Sequence, residues 1–286
     1  MSIRDQVLER IPEIPSLPVA ATQVLRLAQD SDSGIGEIMA AIEFDPGLTS
    51  DILRLANSAF FAGPRQVSTL REAGVLFGTQ RIVELVLASS VFPIAKHPLE
   101  GYDLPAGELV KHSMAVAIAA DKLAALLKRP APNHTFTAAL LADIGKIVLG
   151  TFLKVDAEPI FKLAMEEKIS FEVAEKKILG IDHAEVGATL LQEWNLPENV
   201  IDVVRWHHEP NQLDGDKYVV DLVHVAVQIS VSCGLGIGLD GLNYCASPEA
   251  ISRLGLNNSL LEQATCNMVA DLTQMQHLLP GNPEGS

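Results

Sequence analysis

The chain has 286 residues, 48% of them hydrophobic, and a formal net charge of −15. A chain of this length can bury a large core in one or two compact units, while so acidic a balance repels a phosphate backbone. Basic residues pair only as in Lys128-Arg129 and Lys176-Lys177, so nucleic acid is not an expected partner.

The N-terminal stretch MSIRDQVLERIPEIP is charged and lacks the apolar core of a signal peptide. No uninterrupted apolar run reaches the ~18 residues of a spanning helix, so a soluble, cytoplasmic protein with no membrane partner is expected. Pro18 opens a helix expected to run to about Gln29, and Ser33 is expected to cap the next. Asp45-Pro46 combines a side-chain N-cap with proline at the first helical position. The helix it opens carries Leu48, Ile52, Leu53, Leu55 and Ala56 on one face, and Asn57 closes it as a C-cap. Helices over Thr69–Phe77 and Thr79–Val91 are divided by Gly78.

Between Pro93 and Pro105 three prolines and a glycine break the pattern, placing the boundary between an N-terminal helical bundle (1–100) and a second helical domain (101–286). The second part opens on a long apolar helix, Ala106–Leu127, ended by Pro130–Pro132. Helices are expected near 134–150, 157–168, 171–179, 183–194, 198–207, 219–232 and 259–279. No segment shows the sustained alternation of a strand, and a composition rich in Ala and Leu with 5% aromatics favours helices packed on helices. The fold class is all-α. The segment CGLGIGLDGLN (233–243) contains GxGxG, but a dinucleotide loop follows a strand and opens a helix; here a helix precedes it, so a connecting loop is expected. Cys233, Cys245 and Cys266 form no CxxC spacing and are odd in number, which speaks for a reducing compartment rather than a disulfide framework. The tail LLPGNPEGS reads as a frayed terminus.

Candidate chemistry centres on AALLADIGKIVL (138–149), an apolar helical stretch interrupted by Asp143, with Lys146 close behind. His112, Asp143, His183 and the doublet His207-His208 are spread over separate helical segments, as a buried metal-dependent hydrolase centre requires. A carboxylate amid apolar residues needs partners, which Lys146, a histidine or a metal ion would supply. His112 is either a ligand or a satisfied core histidine. Asp182 is placed to cap a helix that His183 begins, which leaves His183 either a ligand or a surface residue. Adjacent helical residues diverge by about 100°, so His207 and His208 can reach one ion only near a helix end, and Glu209-Pro210 provides one. Lys146 would neutralise a phosphate in an active enzyme and otherwise pairs with Asp143.

LLADIGK resembles the HDIGK core of HD-superfamily phosphohydrolases, with Ala142 where the histidine stands. IPSLPVAATQVLRLAQD (14–30), IEFDPGLTSDILRLANSAFF (42–61), LREAGVLFGTQRIVELVL (70–87) and LGIDHAEVGATLLQEWNLPENVIDVVRWHHEP (179–210) resemble the HDOD domain. The resemblance covers roughly residues 12–230. It implies a helical HD-domain-like bundle with an additional N-terminal bundle, or one continuous HDOD unit over that span, and a role as a regulatory or output module in bacterial signalling. Carried over residue by residue, it puts the first metal at His112, Ala142, Asp143 and Val227, of which Ala142 and Val227 cannot ligate. The second-metal set resembles Asp143, His183, His207 and His208, all present. Three imidazoles and a carboxylate suit Fe, Mn, Zn or Ni better than Mg, so either one divalent transition metal or a hydrogen-bonded polar cluster is expected there. Arg54-Leu55-Ala56-Asn57-Ser58 matches the family's N-terminal signature, and packing is its expected role. The resemblance supports two functions. One is a non-catalytic signalling module that binds a partner protein or a small ligand. The other is a phosphohydrolase acting on nucleotides or phosphodiesters through a single-metal site, with Lys146 as its catalytic cation. The missing ligands at Ala142 and Val227 favour the first, because a hydroxide generated between two ions is the usual nucleophile.

Overall fold

Residues 2–30, 32–58, 61, 66–152, 157–236, 238–241 and 243–275 are described by the structure, a computed structural model. Helix signals in the sequence act where they stand. Asp45 Oδ1 accepts the Leu48 amide at 3.0 Å and Pro46 begins the helix α4 (Pro46–Ala56). Before it lie α1 (Ile3–Leu8), α2 (Val19–Gln29) and α3 (Ile35–Glu43), and after it the long α5 (Leu70–Ala95). Helices α2 to α5 pack together as an N-terminal bundle.

The remaining helices are α6 (Glu108–Leu126), α7 (Thr135–Leu141), α8 (Lys146–Phe152), α9 (Glu158–Glu167), α10 (Phe171–Leu179), α11 (His183–Glu193), α12 (Glu198–Trp206), α13 (Tyr218–Ser232), α14 (Pro248–Leu254) and α15 (Asn258–Met275). Helix α6 is the axis of this half. Residues 112–120 are buried on every side, and α7, α13 and α15 all pack on it. A helix apolar all round must be central, and its alanines let neighbours approach closely. Buried side chains from Val7 to Met275 form one continuous core that runs through both halves. Among the described residues every regular element is helical, and the only extended pairing is an isolated bridge between Leu99 and Leu104.

Several boundaries differ from the sequence expectation for local reasons. Gly34, not Ser33, stands at the N-cap of α3, and its amide donates to the Glu37 side chain at 3.1 Å. Gly78 (φ 71°) kinks α5 as expected, but the helix continues past Val91 through Pro93 to Ala95. Pro93 is exposed, so its missing N–H costs only one bond at a solvated edge. The helix expected over 134–150 is two helices, because the chain turns at Ala142–Gly145. The short helices α1 and α14 escaped sequence reading, and the expected end of the last helix and the tail from 276 lie outside the described residues. Helix α5 is long and apolar enough to cross a membrane by length and composition, yet 56% of that window is buried inside the protein.

The family signature at 54–58 does structural work through one side chain. Asn57 caps α4 by donating to Leu53 O at 2.9 Å. It also pairs with the Val67 backbone in both directions, donating at 2.8 Å and accepting at 2.8 Å. Asn57→Ala is expected to cost ~1–3 kcal/mol, because it leaves the Val67 amide and carbonyl unpaired. Urea unfolding will measure this, and an unchanged midpoint would mean that other contacts hold the segment before α5.

Candidate metal centre

The turn between α7 and α8 carries Asp143 to the interior, where it is 2% exposed. Its position depends on Gly145. A Cβ on Gly145 would lie 2.0 Å from His183 O and 2.5 Å from Gly187 N, so only glycine lets this turn rest against the start of α11. Asp182 caps α11 by accepting the Glu185 amide at 2.8 Å, which sets His183 as the first helical residue. His207 is the C-cap of α12 and His208 follows it, so the doublet sits at a helix end as its spacing requires. The His207 and His208 ring centroids are 3.9 Å apart, and those of His183 and His208 are 4.8 Å apart.

One ligand atom each from Asp143, His183, His207 and His208 lies within 4.8 Å of the others. Carbonyl and carboxylate oxygens only accept, so the ring nitrogens facing them carry hydrogen. His183 Nδ1 donates to Glu175 Oε2 at 2.8 Å, and His207 Nδ1 donates to Val204 O at 2.7 Å. Each bond turns the ring's Nε2 toward the cluster, as outer hydrogen-bond partners do when they orient histidine ligands. Three buried polar atoms here lack a directed hydrogen bond: Asp143 Oδ1, His207 Nε2 and His208 Nδ1. Lys146 Nζ at 2.7 Å and His183 Nε2 at 3.2 Å nonetheless neutralise Asp143 Oδ1, which leaves the His207 and His208 nitrogens as the unpartnered atoms of the cluster. Orphaned buried atoms on converging imidazoles beside a carboxylate fit a transition-metal ion.

The charge states follow from these neighbours. Burial disfavours a charged His183, but the Glu175 carboxylate and the bond to Asp143 outweigh it and lift this imidazole to about 10. His183 Nε2 then has a proton to give to His208 Nε2, 2.7 Å away. Burial drives His207 down to about 3, and burial with the neighbouring His207 and His183 holds His208 well below the usual histidine value. Burial would raise Asp143, yet Lys146 and His112 keep it ionised, well below the usual carboxylate range.

The other side of Asp143 is built differently. His112 Nε2 donates to Asp143 Oδ2 at 2.9 Å, and its Nδ1 lies 3.0 Å from Ser230 Oγ. His112 is therefore near Asp143 but outside the four-residue cluster. The Lys146 ammonium, 5% exposed, sits between Asp143 Oδ1 and Asp240 Oδ2, 2.6 Å from the latter. Ala142 and Val227 are buried. Val227 stands one turn before Ser230, on the α13 face that meets His112.

Sequence reading missed several supports. Glu175 accepts from Tyr102 OH at 2.5 Å as well as from the His183 backbone and ring. It hides in a charged stretch, FEVAEKK, that reads as a solvated helix. His224 donates to His207 O at 2.7 Å and accepts the Ser247 amide at 2.8 Å, which fixes the doublet's backbone. Asp240 comes from the glycine-rich stretch, which is a loop as expected but returns over the site. Gly236 (φ +62°) is needed there, since its Cβ would be 2.4 Å from the His112 Cβ.

The HDOD domain family matches residues 14–210, more than half of the chain. The chain belongs to the HDOD domain family. A protein of uncharacterised function from Treponema pallidum is 29% identical over 206 residues, covering 71% of this chain and 39% of its own length. The chain thus spans about two fifths of that curated relative. Among solved structures, an HDOD domain protein of unknown function from Geobacter sulfurreducens is 24% identical with a TM-score of 0.69, covering 95% of each chain. A candidate phosphohydrolase from Shewanella amazonensis is 24% identical with a TM-score of 0.63 over 92% of this chain and 97% of its own. A candidate signal transduction protein from Marinobacter aquaeolei is 22% identical with a TM-score of 0.69 over 97% of this chain and 60% of its own. At these identities the likeness is one of fold. The HDOD match ends at Pro210, so His112, Asp143, His183, His207 and His208 all lie inside it and Asp240 lies beyond it.

Gly145→Ala is expected to separate the Asp143 turn from α11, at a cost toward the upper end of ~1–3 kcal/mol for overpacking. Thermal unfolding, with a crystal structure of the variant, checks this; a variant as stable as wild type with Asp143 in place would mean that the approach has slack.

Proposed function

We propose that this HDOD protein is a non-catalytic signalling module that retains one metal position and recognises a partner protein or small ligand. The observation that carries the reading is the state of Lys146. In a hydrolase of this architecture that cation would meet the substrate's phosphate; here two carboxylates, Asp143 and Asp240, already neutralise it in a buried position. Ala142 and Val227 offer no ligand atoms, so of the first-metal set only His112 and Asp143 remain. A two-ion site, the usual source of a hydroxide nucleophile, lacks a full donor set on that side.

The other side keeps its donors. Asp143, His183, His207 and His208 would hold one Fe, Mn, Zn or Ni ion, with Glu175 and Val204 O orienting two of the rings. A bound ion would supply Lewis acidity there. The chain's own residues shield part of the site from water: His207 is fully buried, and Tyr244 packs edge-on against the half-buried His208 with 5.2 Å between ring centroids. The reading assigns the protein to the cytoplasm, in keeping with its unpaired cysteines.

Elemental analysis of purified protein is expected to find up to one transition metal per chain, lost in His207→Ala and His208→Ala. With Mn²⁺, Fe²⁺ or Mg²⁺, hydrolysis of bis-p-nitrophenyl phosphate and of common nucleotides is expected to stay at the blank rate. Turnover that vanishes in Asp143→Ala would instead establish a one-metal phosphohydrolase. The double variant Ala142→His with Val227→Asp is expected to stay at one metal, because Lys146 occupies the cation position beside Asp143; a second metal would show that this lysine yields to an ion.

A further inference from the structure

A cleft of about 370 Å³ opens where the N-terminal bundle meets the HD-like half, away from the metal centre. Its walls come from α2, from α5 beyond the Gly78 kink, and from the starts of α7 and α12. Leu25, Val83, Leu87 and Val200 give it an apolar lining of a size typical for small-molecule sites.

Among the described residues Glu84 is the one carboxylate in the lining, beside the amides of Gln80 and Asn133, and Gln80 donates to Asn133 O. Glu84 lines the cleft and is 4% exposed; it accepts from Gln80 at 3.0 Å and from Arg81 at 2.6 Å. Arg81 also reaches Asp121 at 3.4 Å, so one guanidinium serves two carboxylates. Burial raises both carboxylates despite that shared cation. Among the described residues, no lysine or arginine lines the cleft. Thr137, 6% exposed, lines the cleft as well. The His134 ring lines it one turn earlier on the same face, and burial lowers its pKa. The acidic chain as a whole adds to the bias against anions.

We propose that this cleft binds a small non-anionic molecule with a flat apolar body and an N–H donor edge, such as an amino-heterocycle or an aromatic amidine. The body lies against Leu25, Val83 and Leu87, and the donor edge meets Glu84 and Thr137. Helices α7 and α12 both begin at this cleft and end at the metal centre. Val200 and His207 are seven residues apart along α12 and its C-cap, so roughly 10 Å of helix separates the two sites. The cleft is therefore a second site, and it does not depend on whether a metal is bound.

The test is calorimetric and NMR titration of the full chain with 2-aminobenzimidazole and benzamidine, and with benzoate as an anion of similar size. The expected result is saturable binding of the first two probes and none of benzoate, the same with and without chelator. Thr137→Val keeps the shape and removes one hydrogen bond, so it should weaken binding by up to about tenfold. Val83→Trp should abolish binding by filling the cleft. Circular dichroism melts establish that each variant is folded; if Val83→Trp does not fold, Thr137→Val decides. Failure of both donor probes to bind, equal binding of benzoate, or full-strength binding by Thr137→Val or by folded Val83→Trp would overturn the proposal.

Discussion

A carboxylate buried at 2% exposure must be compensated, and the centre of this molecule is organised around Asp143 for that reason. His112 takes one oxygen; Lys146 and His183 approach the other. Each partner requires a separate segment to converge: α6 for His112, α8 for Lys146, α11 for His183. The Gly145–Gly187 contact brings the last of these close enough. Lys146 in turn needs a second counter-charge, and Asp240 supplies it from the loop after α13. Breaking such a buried pair by removing one member typically costs ~3–5 kcal/mol, which makes the cluster a constraint on the fold as much as a site.

The two sides of Asp143 have opposite chemistry. At Oδ2 hydrogens and charges are matched by the His112 N–H, while at Oδ1 the Lys146 ammonium, shared with Asp240, lies beside His183 Nε2. Toward the histidine doublet they are unmatched, with unbonded nitrogens on His207 and His208. The mutual arrangement of Glu175, Tyr102 and His183 belongs to the second side, holding one ring while its partners are supplied by α12.

Much of this was legible in the sequence. Helical periodicity and caps such as Asp45 and Asp182 placed most helices, because those signals act within one turn of chain. The His207-His208 doublet could be placed at a helix end because Glu209-Pro210 follows it. The turn at 142–145 was not legible, since AALLADIGKIVL is apolar enough to read as one helix; the Gly145–Gly187 contact that bends it is made between residues far apart in the chain. Glu175 and Asp240 were invisible for the same reason. A glutamate among lysines and an aspartate in a glycine-rich loop look solvated until α11 and α8 are laid against them.

The most direct test is anomalous diffraction from crystals of the metal-loaded protein, recorded at the absorption edge of the metal used. The account predicts a single peak per chain, about 2.0–2.3 Å from ligand atoms of Asp143, His183, His207 and His208, with the Lys146 ammonium still between Asp143 and Asp240. Two peaks per chain, or one peak coordinated by His112 with Lys146 displaced, would contradict it.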